Sequence, residues 1–496
     1  MTQRISKFWI VIICLIFACI AGVGIAGGKL KAVYMLVAFS ILITVPYIIG
    51  KIGLFSLFCF LVFVYWIPIR SGLGANVSRS LIYMGPSEFC MWILCIGIFI
   101  QGAISKSAQF KSAMRRFPFL AFGLIIAGSI TANLLSGSLF AKTETGQIRV
   151  LFLLPGVIYF LFLFFIETTE QAERLLWIFL ISSALLGLVY LFAPNIGLES
   201  YHADLNSGRI LRIIKLPLCD VLYMSPETSP ICFAFVAVLS FNLWINYPSP
   251  YGRWVAFGVL LIVVFAVVKA QGRTALIAAT CSVAVIQILS SLFKIRSPGS
   301  AKRPAWKLVM IVSGLLLSTW YFAQMSEIGS FRKRGLLLLN DPVHSLTVSG
   351  RIGRWTTAAY AFRDNPFGVG IWGFPGVETD QSWAAHNLYL FQLLSVGIIG
   401  FCGIILIYIR FIRAYMYGLH SNSSNRRILC NGGIGCMIVM LVGGMGSCIF
   451  WSPWQIFMGW IPIGITFAAA TLPERDGSQR TEGRNRMTEI RRKWDD

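Results

Sequence analysis

The feature that most constrains this chain is an apolar run of about twenty residues that recurs about fourteen times, because a bilayer's hydrocarbon core takes roughly 20 apolar residues per helix. The runs fall near 8–26, 32–50, 52–69, 86–104, 118–135, 148–166, 175–193, 230–246, 254–270, 274–293, 308–325, 386–409, 428–446 and 455–472. With 57% hydrophobic and only 12% charged residues, and a mean hydropathy of +0.74, no soluble domain is left over. The runs are continuously apolar, not alternating, so barrel strands do not fit them. The expected fold is all-α: one polytopic transmembrane domain over 1–472 and a polar, arginine-rich tail over 473–496. The start, Met1–Lys7 followed by apolar residues to Ala26, also has the outline of a secretory signal or, at Ala18-Cys19, of a lipoprotein site. The many later runs favour an uncleaved first helix.

A net charge of +22 raises the question of nucleic acid, but the placement of Lys and Arg answers a different one. Four basic clusters stand out: Lys106–Arg116, Lys294–Lys307, Arg410–Arg427 and the tail from Arg475 to Lys493. Under the positive-inside rule these face the cytoplasm, and the runs between them number six, two and two, all even. Both termini are then cytoplasmic, and the links 70–85, 136–147, 194–229, 271–273, 326–385 and 447–454 lie outside. Lys29 and Lys31 also fall outside, against the rule. No nucleic-acid partner is expected.

The 12 cysteines are scattered, with no C-x-x-C pair and no histidine cluster at metal-ligand spacing, so no metal is expected. Cys219 and Cys448 both fall on outer links, where a disulfide is chemically allowed. There is no internal repeat and no phosphate-binding glycine loop, and no cofactor is expected.

Two outer links are longer than turns require, 194–229 and 326–385, which directs attention to function. The second carries Arg332, Lys333, Arg334, Asp341, His344, Arg351, Arg354, Arg363, Asp364, Glu378, Asp380 and, at its end, His386. Its positive excess lies where the topology rule disfavours it. Ser349-Gly350 starts an expected amphipathic helix over Arg351–Arg363, with Ile352, Trp355, Ala359 and Phe362 along one face. Arg351 and Arg354 are neighbours on its first turn, where the helix dipole adds positive charge. Two readings stay open: the pair grips a phosphate, or the helix lies on lipid with its arginines at headgroups. Asn365-Pro366-Phe367-Gly368-Val369-Gly370 then turns the chain, and Trp383–Asn387 returns it to the membrane.

The run SGRIGRWTTAAYAFRDNPFGVGIWGF (349–374), followed by AAHNLYLFQLLSVGIIGF (384–401), resembles the signature of the O-antigen ligase and O-antigen polymerase superfamily. That signature is a Gly-Arg and Trp helix, an Asn-Pro turn with Gly-x-Gly, and His-Asn opening a helix that ends in Gly-Ile-Ile-Gly. KAQGRTALIAA (269–279) is similar to a family segment at the outer end of a helix, with Gln271-Gly272 where Ser commonly precedes the Arg. MSPETSPICFAF (224–235) resembles more weakly a Glu-Pro-Ser segment of exopolysaccharide polymerases, although Pro226 here precedes Glu227.

The resemblance implies a C-type glycosyltransferase-like membrane enzyme of the bacterial inner membrane. It would move a glycan from an undecaprenyl diphosphate carrier to an acceptor sugar at the periplasmic face, without a metal. Departure of the lipid diphosphate develops negative charge, which Arg273 and Arg351 would meet, and His386 would take the acceptor hydroxyl's proton. Arg354 and Glu227 are expected to contact substrate. Asn387 either orients a sugar or caps the following helix, and the cap is the simpler role. His202, His344 and His420 read as ordinary surface residues, and Trp355, Trp372, Phe374 and Trp383 as an interfacial belt. The acceptor is a lipid-linked repeat for a polymerase or lipid A core for a ligase; the 194–229 link with Glu227 favours the polymerase. Further expected partners are membrane lipid, a chain-length regulator and a flippase. A transporter or lipid-linked oligosaccharide flippase is the alternative from another class, and it would need ionisable groups near mid-membrane.

Overall fold

The computed structural model describes isolated positions between 55 and 98 and then residues 108–136, 152–192, 199–204, 209–214, 222–224, 229–270, 273–295, 351–370, 387–446 and 453–473. The expected spans at 8–26, 32–50 and 308–325, the Cys219 and Cys448 pair, Glu227 and His386 lie outside the described residues. The described helices are α1 (Ala108–Arg116), α2 (Phe119–Leu135), α3 (Leu154–Phe165), α4 (Thr169–Phe192), α5 (Ser229–Asn246), α6 (Pro250–Lys269), α7 (Arg273–Leu292), α8 (Arg351–Asp364), α9 (Leu388–Leu419), α10 (Ser424–Gly446) and α11 (Pro453–Ala470). Six of them are long and apolar enough to cross a membrane, or seven if α1 and α2, bent by 60° at Phe117-Pro118, count as one span. The chain is thus a polytopic membrane protein.

Burial sorts the helices. Every residue of α3 is buried, as befits a helix apolar all round at the centre of a bundle. α7 lies at the edge, with Ile277, Ile288 and Leu292 exposed to lipid. Three polar residues in the interior stitch α5, α7 and α10 together: Asn431 Nδ2 donates to Asn242 Oδ1 at 2.9 Å and to Ser290 Oγ at 2.9 Å, and Asn242 Nδ2 donates to the Ile428 carbonyl at 2.8 Å. Lipid tails offer no hydrophobic drive between helices, so such bonds and close contacts of small residues hold them together. Gly128 of α2 lies against the Gly400 backbone, and Gly403 against the Ala121 carbonyl.

One end of the bundle is basic. Arginines there donate to carbonyls at the C-termini of other helices, where the dipole is negative. Arg116 Nη2 donates to Leu163, Arg410 Nη2 to Arg116 at 2.6 Å, Arg426 Nη2 to Ala470 at 2.5 Å and Arg427 Nη1 to Phe293 at 3.1 Å. Residues of three of the basic clusters are therefore joined to one another or to adjoining helix ends at one end of the bundle. Glu173 accepts from the Tyr247 hydroxyl and, at 2.8 Å, from Asn425 Nδ2. Burial pushes the Tyr247 phenol above its ordinary pKa, and the Glu173 carboxylate adds to the rise.

The purely helical expectation needs one correction. In the 194–229 link, β1 (Glu199–Asp204), β2 (Arg209–Ile214) and β3 (Leu222–Met224) form an antiparallel sheet in that order. Glu199 pairs with Ile214, Asp204 with Arg209, and Arg212 with Met224. The β-branched residues of RILRII favour a strand, and Asn206-Ser207-Gly208 between β1 and β2 is a turn sequence.

Candidate functional site

The end opposite the basic one gathers the segments singled out above. Arg273 is the first residue of α7, and its neighbour Thr274 touches Gly446 at the end of α10. Two residues earlier on α10, Gly444 touches Leu388, the first residue of α9. Asn387 caps α9: its Oδ1 accepts from the Tyr389 and Leu390 amides at 3.0 and 3.2 Å. This is the N-cap role, in which a side chain satisfies amides that a helix start leaves unpaired. His386 is covalently next to it. Lys269, the first residue of the KAQGRT segment, donates to the Leu191 carbonyl at 2.6 Å and so closes the C-terminal end of α4.

α9 is one element by its ends but two by its path. Gly397 takes φ 62°, ψ −172°, a conformation essentially reserved for glycine. A straight helix would hold Leu388 about 45 Å from Gly418. Their partners on α10, Gly444 and Cys430, are only about 21 Å apart at helical rise. The part before Gly397 therefore turns away from the part after it. The expected span of 386–409 is corrected accordingly: α9 runs on to Leu419, and its first part, from the Asn387 cap to Val396, is a short helix set at an angle.

A helix broken in this way leaves backbone groups unpaired, and the turn after α8 takes them up. The Val369 amide donates to the Leu394 carbonyl at 2.8 Å, and the Ile398 amide donates to the Pro366 carbonyl at 3.0 Å. Gly368, with φ 93°, sits against Gly397 and Ala132, where no side chain fits. The Asn-Pro turn and the Gly-Ile-Ile-Gly run are thus two halves of one joint: Gly397 makes the break, and Gly400 lets α2 approach.

α8 forms as expected from Arg351, which is its first residue, but with a rotated apolar face. Ala358 and Ala361 are buried with Trp355 and Phe362 against Leu390 and Leu394, whereas Ile352 and Ala359 are exposed. The small alanines let α8 come close to α9. Trp355 therefore serves packing as well as any interface. Arg354 is half-buried on the first turn beside Arg351. Arg363 pairs with Asp364 at 2.9 Å, both well exposed, and its guanidinium lies 5.1 Å from the Tyr360 ring centroid. An exposed pair of this kind is worth little.

Of the other histidines, His202 lies on β1 and His420 follows α9, its Nδ1 2.9 Å from the Met416 carbonyl and its ring edge-on to Phe293. Trp372, Phe374, Trp383 and His344 lie outside the described residues. Among the described residues no group of three His, Cys, Asp or Glu could hold a metal ion.

Sequence reasoning missed Gln392 and Tyr408, which lie on the two parts of α9 and are polar groups turned into the protein. A polar residue in a span is a signal only once the fold shows what it faces. The chain matches no family model, and no curated protein matches it.

Proposed function

We propose that this protein is a metal-independent glycosyltransferase of the bacterial inner membrane. It moves a glycan from an undecaprenyl diphosphate carrier to an acceptor sugar at the periplasmic face, and most plainly it polymerises exopolysaccharide or O-antigen repeats. The observation that carries this reading is that three segments distant in sequence lie at one end of the bundle: the α8 turn is joined to the break in α9, and the starts of α7 and α9 both rest on the end of α10. These are the stretches in which the resemblance was found. The finer architecture proposed with it is a C-type fold of about fourteen spans, with both termini in the cytoplasm and the basic end facing it.

In this reading the acceptor hydroxyl oxygen attacks the anomeric carbon as the bond from that carbon to the diphosphate oxygen breaks. The hydroxyl proton passes to His386, and the negative charge leaves on the diphosphate, met by Arg273 and Arg351, with Arg354 holding a further phosphate oxygen. Permanently protonated guanidinium groups suit a site without a metal. Glu227 is proposed to contact the acceptor, while Asn387 supports His386 by capping the helix that follows it.

The test is transfer itself. Purified protein is given an undecaprenyl diphosphate-linked repeat, and product length is followed on a gel: a ladder identifies a polymerase, and a single transfer to lipid A core identifies a ligase. No transfer to either acceptor overturns the enzyme reading and returns the flippase to consideration. His386→Ala in cells should abolish the long surface polysaccharide, and normal amount and length would show that the base is elsewhere.

A further inference from the structure

The corner where α1, α2 and α9 meet, at the basic end of the bundle, brings two arginines together on a lipid-facing surface. Pro118 breaks the chain there, and α1 and α2 are bent by 60° from one another. On α1, Phe110 and Met114 pack on the core while Lys111, Ser112 and Arg115 are exposed, the pattern of a helix lying along a membrane surface. Its last residue, Arg116, donates to the Leu163 and Ser112 carbonyls. Arg410 of α9 reaches across and donates Nη2 to the Arg116 carbonyl at 2.6 Å. Both residues are half-buried.

These bonds use some of the guanidinium hydrogens but leave the charge unmatched. Neither arginine donates to a carboxylate among the described residues, and Arg116 Nη1 is buried with no partner. Glu167 and Glu170, at the turn between α3 and α4, are the acidic residues near this corner, and the exposed Lys111, Arg115 and Arg413 outweigh them. Beside the arginines the surface is apolar. Phe119 and Leu120 open α2 at 48% and 73% exposure, and Ile409 and Ile412 flank Arg410 at 40% and 44%. Acyl chains cover such residues, so the two guanidinium groups stand where the apolar surface ends, at headgroup depth. Arg426 makes the contrast: at 3% exposure it is enclosed by protein and has no lipid to meet.

The chemistry selects the ligand. Guanidinium N–H groups match phosphate oxygens two at a time, and a basic notch between spans suits a headgroup of net negative charge. A zwitterionic headgroup would bring its own ammonium against the exposed lysine and arginines. We propose that Arg116 and Arg410 form a site for the phosphate of one anionic phospholipid, with its acyl chains along α2 and α9. The site does not depend on the transferase reading.

The experiment titrates the full chain in neutral detergent with phosphatidylglycerol, with zwitterionic phosphatidylethanolamine and with inorganic phosphate, and counts retained lipid by native mass spectrometry. One phosphatidylglycerol should bind about tenfold more tightly than phosphatidylethanolamine, and phosphate should not displace it. Arg116→Gln and Arg410→Gln should each weaken phosphatidylglycerol about tenfold, and Arg363→Gln at the opposite end should leave it unchanged. Arg410→Lys keeps the charge and a donor for the Arg116 carbonyl but not the planar fork, so it guards against misfolding: severalfold weaker binding is expected with an unchanged unfolding midpoint. Equal affinity for the two lipids, or an equal loss at Arg363→Gln, would mean that only total charge or apolar surface matters and would overturn the site. Displacement by inorganic phosphate would show a free-anion site and overturn the lipid. Natural affinity in both Arg410→Lys and Arg116→Gln would place the lipid elsewhere.

Discussion

The two ends of this bundle solve the same problem in different ways. At the basic end, helix C-termini are closed by arginines reaching over from neighbouring elements, as when Arg426, 3% exposed, donates to the Ala470 carbonyl. At the opposite end, α9 breaks at Gly397 and its freed backbone groups are closed by the backbone of the turn after α8. Guanidinium caps are long side chains that tolerate small shifts. A backbone-to-backbone joint between two glycines does not, so it holds a fixed geometry, which suits the transfer site proposed for that end. The difference teaches where rigidity was placed.

The comparison breaks most directly at the joint. Gly397→Ala puts a Cβ against the Phe367 carbonyl and forces a backbone that only glycine adopts, so about 2–4 kcal/mol of local stability should be lost. Hydrogen exchange should rise in α8 and in the first part of α9 while α10 stays protected. Uniform loss across all helices would mean that the joint is not a separate unit. At the other end, Arg426→Met leaves the Ala470 carbonyl buried without its donor and should cost about 1–3 kcal/mol, seen as a lower unfolding midpoint with transfer activity kept. Asn387→Ala should cost about 1 kcal/mol and lower activity modestly, and Asn387→Asp or Ser should restore it, because a cap needs only an acceptor. If Asp and Ser are as inactive as Ala, Asn387 touches substrate. The smallest effect is expected at Arg363→Ala, within about 0.5 kcal/mol and without change in activity, because its partner Asp364 is as exposed as it is.

Much of the scaffold was legible in advance. The start of α5 at Ser229 and the end of α10 at Gly446 fall within a residue of the boundaries set by apolar length, because a continuous apolar run in a membrane has only helix available to it. Other boundaries moved for local reasons. α4 begins six residues before its apolar run, at Thr169, because Gln171 Oε1 accepts from the Glu167 and Thr168 amides and closes the helix start. The apolar face of α8 was misjudged because helical spacing alone does not say which neighbour the helix meets. Leu390 and Leu394 selected Ala358 and Ala361.

What the sequence determined by itself was the solvent and the gathering of charge: long apolar runs require lipid, and clustered arginines meet at one end because crossing a bilayer with charge is costly. Only the tertiary structure decided that the Asn-Pro turn and Gly-Ile-Ile-Gly are one joint, and that Asn387 is a cap. Each of these depends on backbone groups or side chains from distant positions meeting at one place, and period and composition carry no record of such meetings.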